Sequence, residues 1–184
     1  MIARDTRLTM QKDSHLMSLK IRNELPADAS AIESLTIAAF TEAPHTNGAE
    51  QAIVNALRSA GQLTLSLVAQ EGEDVVGHVA ISPVTISDGT AGWFGLGPVS
   101  VSPQYQRRGI GAQLIDAALA ELKHRGAGGC VVLGDPAYYR RFGFMATPRL
   151  VLPGIPAEYF QALLLNGVWP EGDVTYHEAF NATP

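Results

Sequence analysis

With one cysteine in 184 residues, the chain has no partner for an intrachain disulfide and no second thiol for a Cys-x-x-Cys metal or redox motif. That cysteine, Cys130, stands in the apolar run Cys130-Val131-Val132-Leu133 and reads as a buried strand thiol. A nucleophile would want a nearby base and a turn, and neither is evident. Histidines are few, at positions 15, 45, 78, 124 and 177, and fall at no metal-ligand spacing, so no metal is expected. Positive charge is scarce: 13 Lys and Arg stand against 18 Asp and Glu, a net charge of −5. Basic residues gather only as Arg107-Arg108 and Arg140-Arg141, too short for the stripe of a nucleic-acid binder, so nucleic acid is not an expected partner. No apolar stretch approaches the length that spans a bilayer. The first 17 residues are polar and of mixed charge, without the apolar region of a signal peptide. Membrane is therefore not an expected partner, and the cytoplasm is the default compartment.

What is present is a globular balance, 46% hydrophobic and 17% charged, with enough apolar material for a core. Residues 1–17 read as a disordered extension, or Met17 marks the start. Residues 18–184 read as a single domain of ordinary size.

Leu19-Lys20-Ile21-Arg22 alternates as a half-buried strand does. Pro26-Ala27-Asp28 opens a helix whose apolar face carries Ile32, Leu35 and Ile37. After a loop rich in turn formers, a second helix carries Ile53, Val54 and Leu57 and ends near Gly61. Residues 63–70 and 75–82 read as a hairpin, and residues 92–101 as a third strand. Gly95, Gly97 and Pro98 interrupt that strand and point to a bulge. Ile110, Leu114, Ile115, Ala118, Leu119 and Leu122 make a strong helical stripe, stopped by Gly126–Gly129. Cys130–Leu133 is a covered strand, and residues 136–142 a short helix ended by Gly143. In the tail, the spacing predicts a helix over residues 157–165 and a strand over 174–177. The order implies a mixed sheet, with hairpins and one βαβ crossover, and helices on both faces.

The segment richest in chemistry is Val99-Ser100-Val101-Ser102-Pro103-Gln104-Tyr105-Gln106-Arg107-Arg108-Gly109-Ile110-Gly111. A strand runs through a glycine-containing turn into a long helix. The first turn of a helix leaves its amides unbonded, and the helix dipole adds positive charge there. Glycine lets a phosphate approach the backbone, and two arginines add full charges. The loop lacks the lysine of a Walker motif, and the third glycine of a dinucleotide fingerprint is replaced by Leu114.

Gln106-Arg107-Arg108-Gly109-Ile110-Gly111 resembles the Gln/Arg-x-x-Gly-x-Gly/Ala signature of the GNAT acetyltransferase superfamily. Tyr139-Arg140-Arg141-Phe142-Gly143-Phe144 is similar to that family's Tyr-x-x-x-Gly-Phe. The resemblance covers about residues 19 to 145. Leu96-Gly97-Pro98-Val99 and Leu133-Gly134-Asp135-Pro136-Ala137-Tyr138-Tyr139 look like the YhbS-like branch. It implies a mixed α/β fold: a largely antiparallel sheet, helices on both faces, and a slot where the fourth and fifth strands splay apart. It implies acetyl-CoA as co-substrate. Val99, Ser100 and Val101 would line its pantetheine arm. Gln106, Arg107, Arg108, Gly109, Ile110, Gly111 and Ala112 would hold its pyrophosphate. Tyr139, or its neighbour Tyr138, would be the general acid. The activity implied is transfer of an acetyl group to an amine of a small molecule or protein.

Two positions depart from the family pattern. Val132 stands where many relatives carry asparagine, with Asp135 placed to cap the following helix. Residues 93–102 contain no Asp or Glu, so a base comes from elsewhere or water relays the proton. Glu42, His45 and Glu50 are candidate acceptor contacts, each read more readily as a surface turn or helix start. His78 reads as a core or edge histidine, Tyr159 and Phe160 as core, and Trp93 and Trp169 as buried or pocket-shaping. A non-catalytic acyl-CoA sensor and a nucleotide-binding α/β protein stay open beside the enzyme, as does a homodimer.

Overall fold

The computed structural model describes residues 18–41 and 48–183; the extension at 1–17 and the acceptor candidates Glu42 and His45 lie outside them. Six strands form the main sheet: β1 (Leu19–Asn23), β2 (Leu65–Glu71), β3 (Asp74–Ile86), β4 (Trp93–Val101), β5 (Gly129–Leu133) and β7 (Phe160–Leu164). They lie in the order β1-β2-β3-β4-β5-β7. Every neighbouring pair is antiparallel except β4–β5. The helices are α1 (Ala29–Phe40), α2 (Glu50–Ser59), α3 (Ile110–His124) and the short α4 (Pro136–Tyr139). Two further strands, β6 (Leu150–Val151) and β8 (Gly172–Tyr176), extend the far end of β3: β8 pairs with Val84–Ile86, and β6 with β8.

The predicted stripe of α3 is buried against one sheet face. Ile110, Leu114, Ile115 and Leu122 pack with Leu65, Leu67, Val79 and Ile81. Gly77 of β3 admits that helix: a Cβ there would lie 3.0 Å from Leu114 Cδ1 and 3.1 Å from Ile110 Cγ2. Helix α1 packs on the opposite face, with Ile32 and, from α2, Val54 against Val68. Helices thus cover both faces, as the sequence implied. A second core, Val84, Ile86, Trp93, Val131, Leu150, Phe160, Ala162 and Val174, fills the space beneath the tail.

Pro83 sits inside β3 without breaking it. The β2 register reaches Ile81 and the β8 register starts at Val84, so Pro83 falls where that edge of β3 changes partner. A missing amide donor is tolerated there.

The helix expected over residues 157–165 is instead β7. Pro156 and Gly154 precede it, and its five residues pair in register with β5, from Leu133↔Phe160 to Gly129↔Leu164. The buried Gln161 donates its side-chain amide to Gly134 O at 3.1 Å. A five-residue apolar run has no decisive period, and the open edge of β5 selected the strand. The strand at 174–177 is present as β8, beginning two residues earlier and ending one earlier; β6 had no sequence counterpart.

A polar cluster lies under α1 and α2. The Ser66 hydroxyl bonds the Glu24 carboxylate, which also accepts from Arg58 Nε at 2.6 Å. The hydroxyl has a single proton and gives it to Glu24, so His78 Nε2, 2.8 Å away, must donate to Ser66. The other ring nitrogen, Nδ1, is buried and has no partner among the described residues. Protonating it would create an unpaired buried donor. Burial accordingly pushes His78 down to about 4, against the pull of Glu24 and with a small push from Arg58. In the unfolded chain this imidazole titrates near 6.5, so between the two values the unfolded state binds the extra proton. Stability is therefore expected to fall as pH drops from 6.5 towards 4, by up to about 3 kcal/mol from this group. Denaturant titrations across that range should show the slope. His78→Gln should flatten it; an unchanged slope would place the effect on other groups.

Candidate active site: a forked sheet beside a helix N-terminus

β4 and β5 pair at Trp93↔Gly129, Phe94↔Cys130 and Gly95↔Val131, and pairing stops there. Beyond Gly95, β4 continues along β3 alone. The expected bulge is present. Leu96 faces Ile81 and Val99 faces Val79, so Gly97 and Pro98 together oppose Ala80. Gly97 takes φ +134°, open to glycine, and the Gly97-Pro98 peptide is cis.

Past the bulge, Ser102 N donates to Val76 O at 2.9 Å. Antiparallel alternation then turns the main-chain groups of Val99 and Val101 away from β3, towards the gap. Val101 O receives Gln106 Nε2 at 3.1 Å. Ser100 behaves differently: its backbone faces β3, and its buried hydroxyl meets Thr36 Oγ1 on α1 at 3.0 Å.

A 3-10 turn at Pro103–Tyr105 then reverses the chain into the loop before α3. Arg107 has φ +62°, the one positive φ on a non-glycine among the described residues, and Gly109 follows at +78° as the N-cap. The first bond into the helix is Gln113 N to Gly109 O, 3.1 Å. No main-chain amide from Arg107 to Ala112 donates to a described residue. Six consecutive donors, Arg107, Arg108, Gly109, Ile110, Gly111 and Ala112, therefore stand at the positive end of a 15-residue helix. Arg108 reaches sideways to Glu71 Oε1 at 2.8 Å and stacks on Tyr105, 5.2 Å from the ring centroid. Arg107 has no ion pair among the described residues.

The two candidate tyrosines occupy different places. The Tyr138 hydroxyl leans over the first turn of α3, 3.2 Å from where a Cβ on Gly111 would be. The Arg141 guanidinium covers its ring at 4.3 Å. Tyr139 lies deeper. Its ring fills the space a side chain at Gly134 would need, edge-on to Tyr138 at 5.1 Å and to Phe144 at 5.9 Å. Burial pushes its phenol up to about 12, with Tyr138 and Cys130 adding to the rise. It is fully protonated at neutral pH, and its hydroxyl donates to no described residue. Gly143 ends this turn with φ +90°. Asp135 caps α4, accepting from Ala137 N at 2.8 Å.

Cys130 is buried, as expected, and burial pushes its thiol far up. Val132 is buried in the α3-side core. Trp93 is buried over Gly129 and tilts against Trp169 at 6.0 Å. Phe160 is core, whereas Tyr159 is 47% exposed. Glu50 opens α2. Among the described residues no group of acidic, histidine and cysteine side chains is arranged to hold a metal. No described helix is long and apolar enough to cross a membrane.

One aromatic at the fork was missed in the sequence. Tyr176 of β8 lays its ring on Gly95, the last β4 residue paired to β5. Eighty residues separate the two positions. The available signal was a bare glycine inside a strand, which marks a close approach without saying by what.

A strand forked from its parallel neighbour beside an open helix N-terminus defines a class, and the comparisons agree with it. Residues 30–144 match the Acetyltransferase (GNAT) family, and the chain belongs to that family. It is 39% identical over 170 residues to "Uncharacterized N-acetyltransferase YhbS" of Escherichia coli K12, spanning 88% of this chain and 98% of that protein. The crystal structure of a GNAT family acetyltransferase from Brucella melitensis in complex with acetyl-CoA is 50% identical. It covers 89% of this chain and 99% of its own, with a TM-score of 0.80. The Escherichia coli YhbS structure in complex with CoA is 38% identical, covers 90% and 93%, and has a TM-score of 0.77.

Gly109 has open space around its Cβ position, so alanine there meets only the cost of φ +78°. Gly109→Ala is expected to lower stability by about 1 kcal/mol. Chemical denaturation measures it, and a loss several times larger would mean that the loop is packed more tightly than described.

Proposed function

We propose that the chain is an acetyl-CoA-dependent N-acyltransferase that moves an acetyl group to an amine of a small molecule or a protein by direct attack. The observation that carries this reading is the run of six amides at the foot of β4 that bond to no described residue, beside a strand edge that has lost its neighbour. Amides of Arg107–Ala112, with Arg107 and Arg108 beside them, suit a diphosphate. The main-chain groups of Val99 and Val101 suit the amide-bearing arm of the same molecule. The solved Brucella and Escherichia coli relatives, bound to acetyl-CoA and CoA, support that choice of ligand.

In this reading the fork holds the thioester where a neutral amine can reach its carbonyl carbon. Holding both reactants in one slot supplies much of the acceleration. Strand amides at the fork stabilise the oxyanion as the carbonyl becomes tetrahedral. The carbon–sulfur bond then breaks, and Tyr139, protonated and bonded to no other described side chain, gives its proton to the departing thiolate. The attacking nitrogen loses a proton to water or to an acceptor-side base. No covalent intermediate is required, and Cys130 is too buried to serve as a nucleophile. Tyr138, poised over Gly111, is assigned to the cradle.

Calorimetry with acetyl-CoA, CoA and ATP tests the cradle, and thiol release across a panel of amines tests the transfer. Gly109→Glu should weaken acetyl-CoA binding at least about a hundredfold by placing a carboxylate against the diphosphate, well beyond what Gly109→Ala does. Affinity retained in the glutamate variant would count decisively against the reading. Tyr139→Phe should lower kcat by about 10²-fold or more while leaving acetyl-CoA affinity nearly unchanged. An unaltered kcat would remove Tyr139 as the acid.

A further inference from the structure

We propose that Tyr176 sets the length of acyl chain that the slot accepts. This rests on the acyl-CoA reading above. Successive residues of β5 point to opposite faces. Cys130 and Val132 belong to the core under α3, and Val131 to the second core beneath the tail. Tyr139 packs with the first group and Tyr176 with the second. The fork is therefore flanked by two tyrosine rings, one on each face.

An acyl-CoA arm that enters at Arg107–Ala112 and follows β4 backwards comes to the point where the strands rejoin, Gly95↔Val131. The Tyr176 ring is already in place there. A side chain on Gly95 would run into its Cε1, and Cδ1 stands 3.1 Å from the Cβ position. Val84 Cγ1, at 3.3 Å from the same point, closes the next side. The ring is held from behind by Phe180, with centroids 4.7 Å apart, and from below by the β8 pairing Val84↔Tyr176. The ring is thus a wall backed on two sides. Its hydroxyl makes no hydrogen bond to a described residue. The proposal therefore assigns the role to the ring. Each added methylene on the acyl group would have to displace a packed aromatic, and overpacking of that kind is costly. The ring and its backing, Tyr176 and Phe180, lie beyond residues 30–144, the stretch that matches the wider family, whereas Gly95 and Val84 lie within it.

Binding of CoA, acetyl-CoA, butyryl-CoA and hexanoyl-CoA to the full chain provides the test without knowledge of the acceptor. The wild-type chain is expected to bind hexanoyl-CoA at least about tenfold more weakly than acetyl-CoA. Tyr176→Ala should abolish that difference, and Tyr176→Phe should keep it. If the alanine variant does not fold, Tyr176→Leu, which keeps apolar bulk for the cluster, should reduce the difference at least about threefold. A wild-type chain that takes hexanoyl-CoA as tightly as acetyl-CoA overturns the assignment. So does a folded alanine or leucine variant that discriminates as the wild type does. A wild-type chain that binds none of the four overturns the acyl-CoA reading itself, and with it this inference.

Discussion

The parting of β4 from β5 is the constraint on which the rest of this molecule depends. A parallel pair normally keeps bonding along its length. Here it lasts three residues and ends at Gly95↔Val131. The bulge at Gly97-Pro98 gives β4 one residue more than β3 needs, and the strand swings while staying bonded on that side. The opposite edge is left with main-chain donors and acceptors facing a gap. Such groups are costly to bury unpaired, so the edge is built either to be wetted or to be filled.

Glycine governs how closely rings approach that gap. Three positions lack a Cβ where an aromatic lies against the backbone: Gly129 beneath Trp93, Gly134 beneath Tyr139 and Gly95 beneath Tyr176. The first two contacts join neighbouring segments, whereas the third joins β4 to β8, far apart in sequence. Together they bring a protonated phenol to one face of the fork and an aromatic wall to the other. The cradle follows a similar economy: Gly109 and Gly111 keep side chains away from the open amides, and the charge sits on the exposed arginines Arg107 and Arg108.

The legible parts of the fold were those with a long period or strong punctuation. The α3 stripe, the β2–β3 hairpin and the Gly97-Pro98 interruption each carry local signals, and each appears where the sequence places it. The tail carried less. Phe160–Leu164 became a strand because β5 had an edge to pair, and Leu150–Val151 because β8 did. Ser100 was read with Val99 and Val101 as one stretch of slot, yet its hydroxyl belongs to Thr36 on α1. Strand alternation across a bulge settles that, and a bulge changes which residues face the gap.

By itself the sequence determined the periodicities, the turn that opens α3 with two glycines and two arginines, and the tyrosine motif before Gly143. All of these are written in neighbours a few residues apart, where backbone preference and side-chain spacing act directly. Only the tertiary structure decided which of two adjacent tyrosines lies deeper, how far β4 and β5 stay together, and that Tyr176 comes to rest on Gly95. Those outcomes depend on which distant surfaces meet when the core closes, and no local preference encodes them.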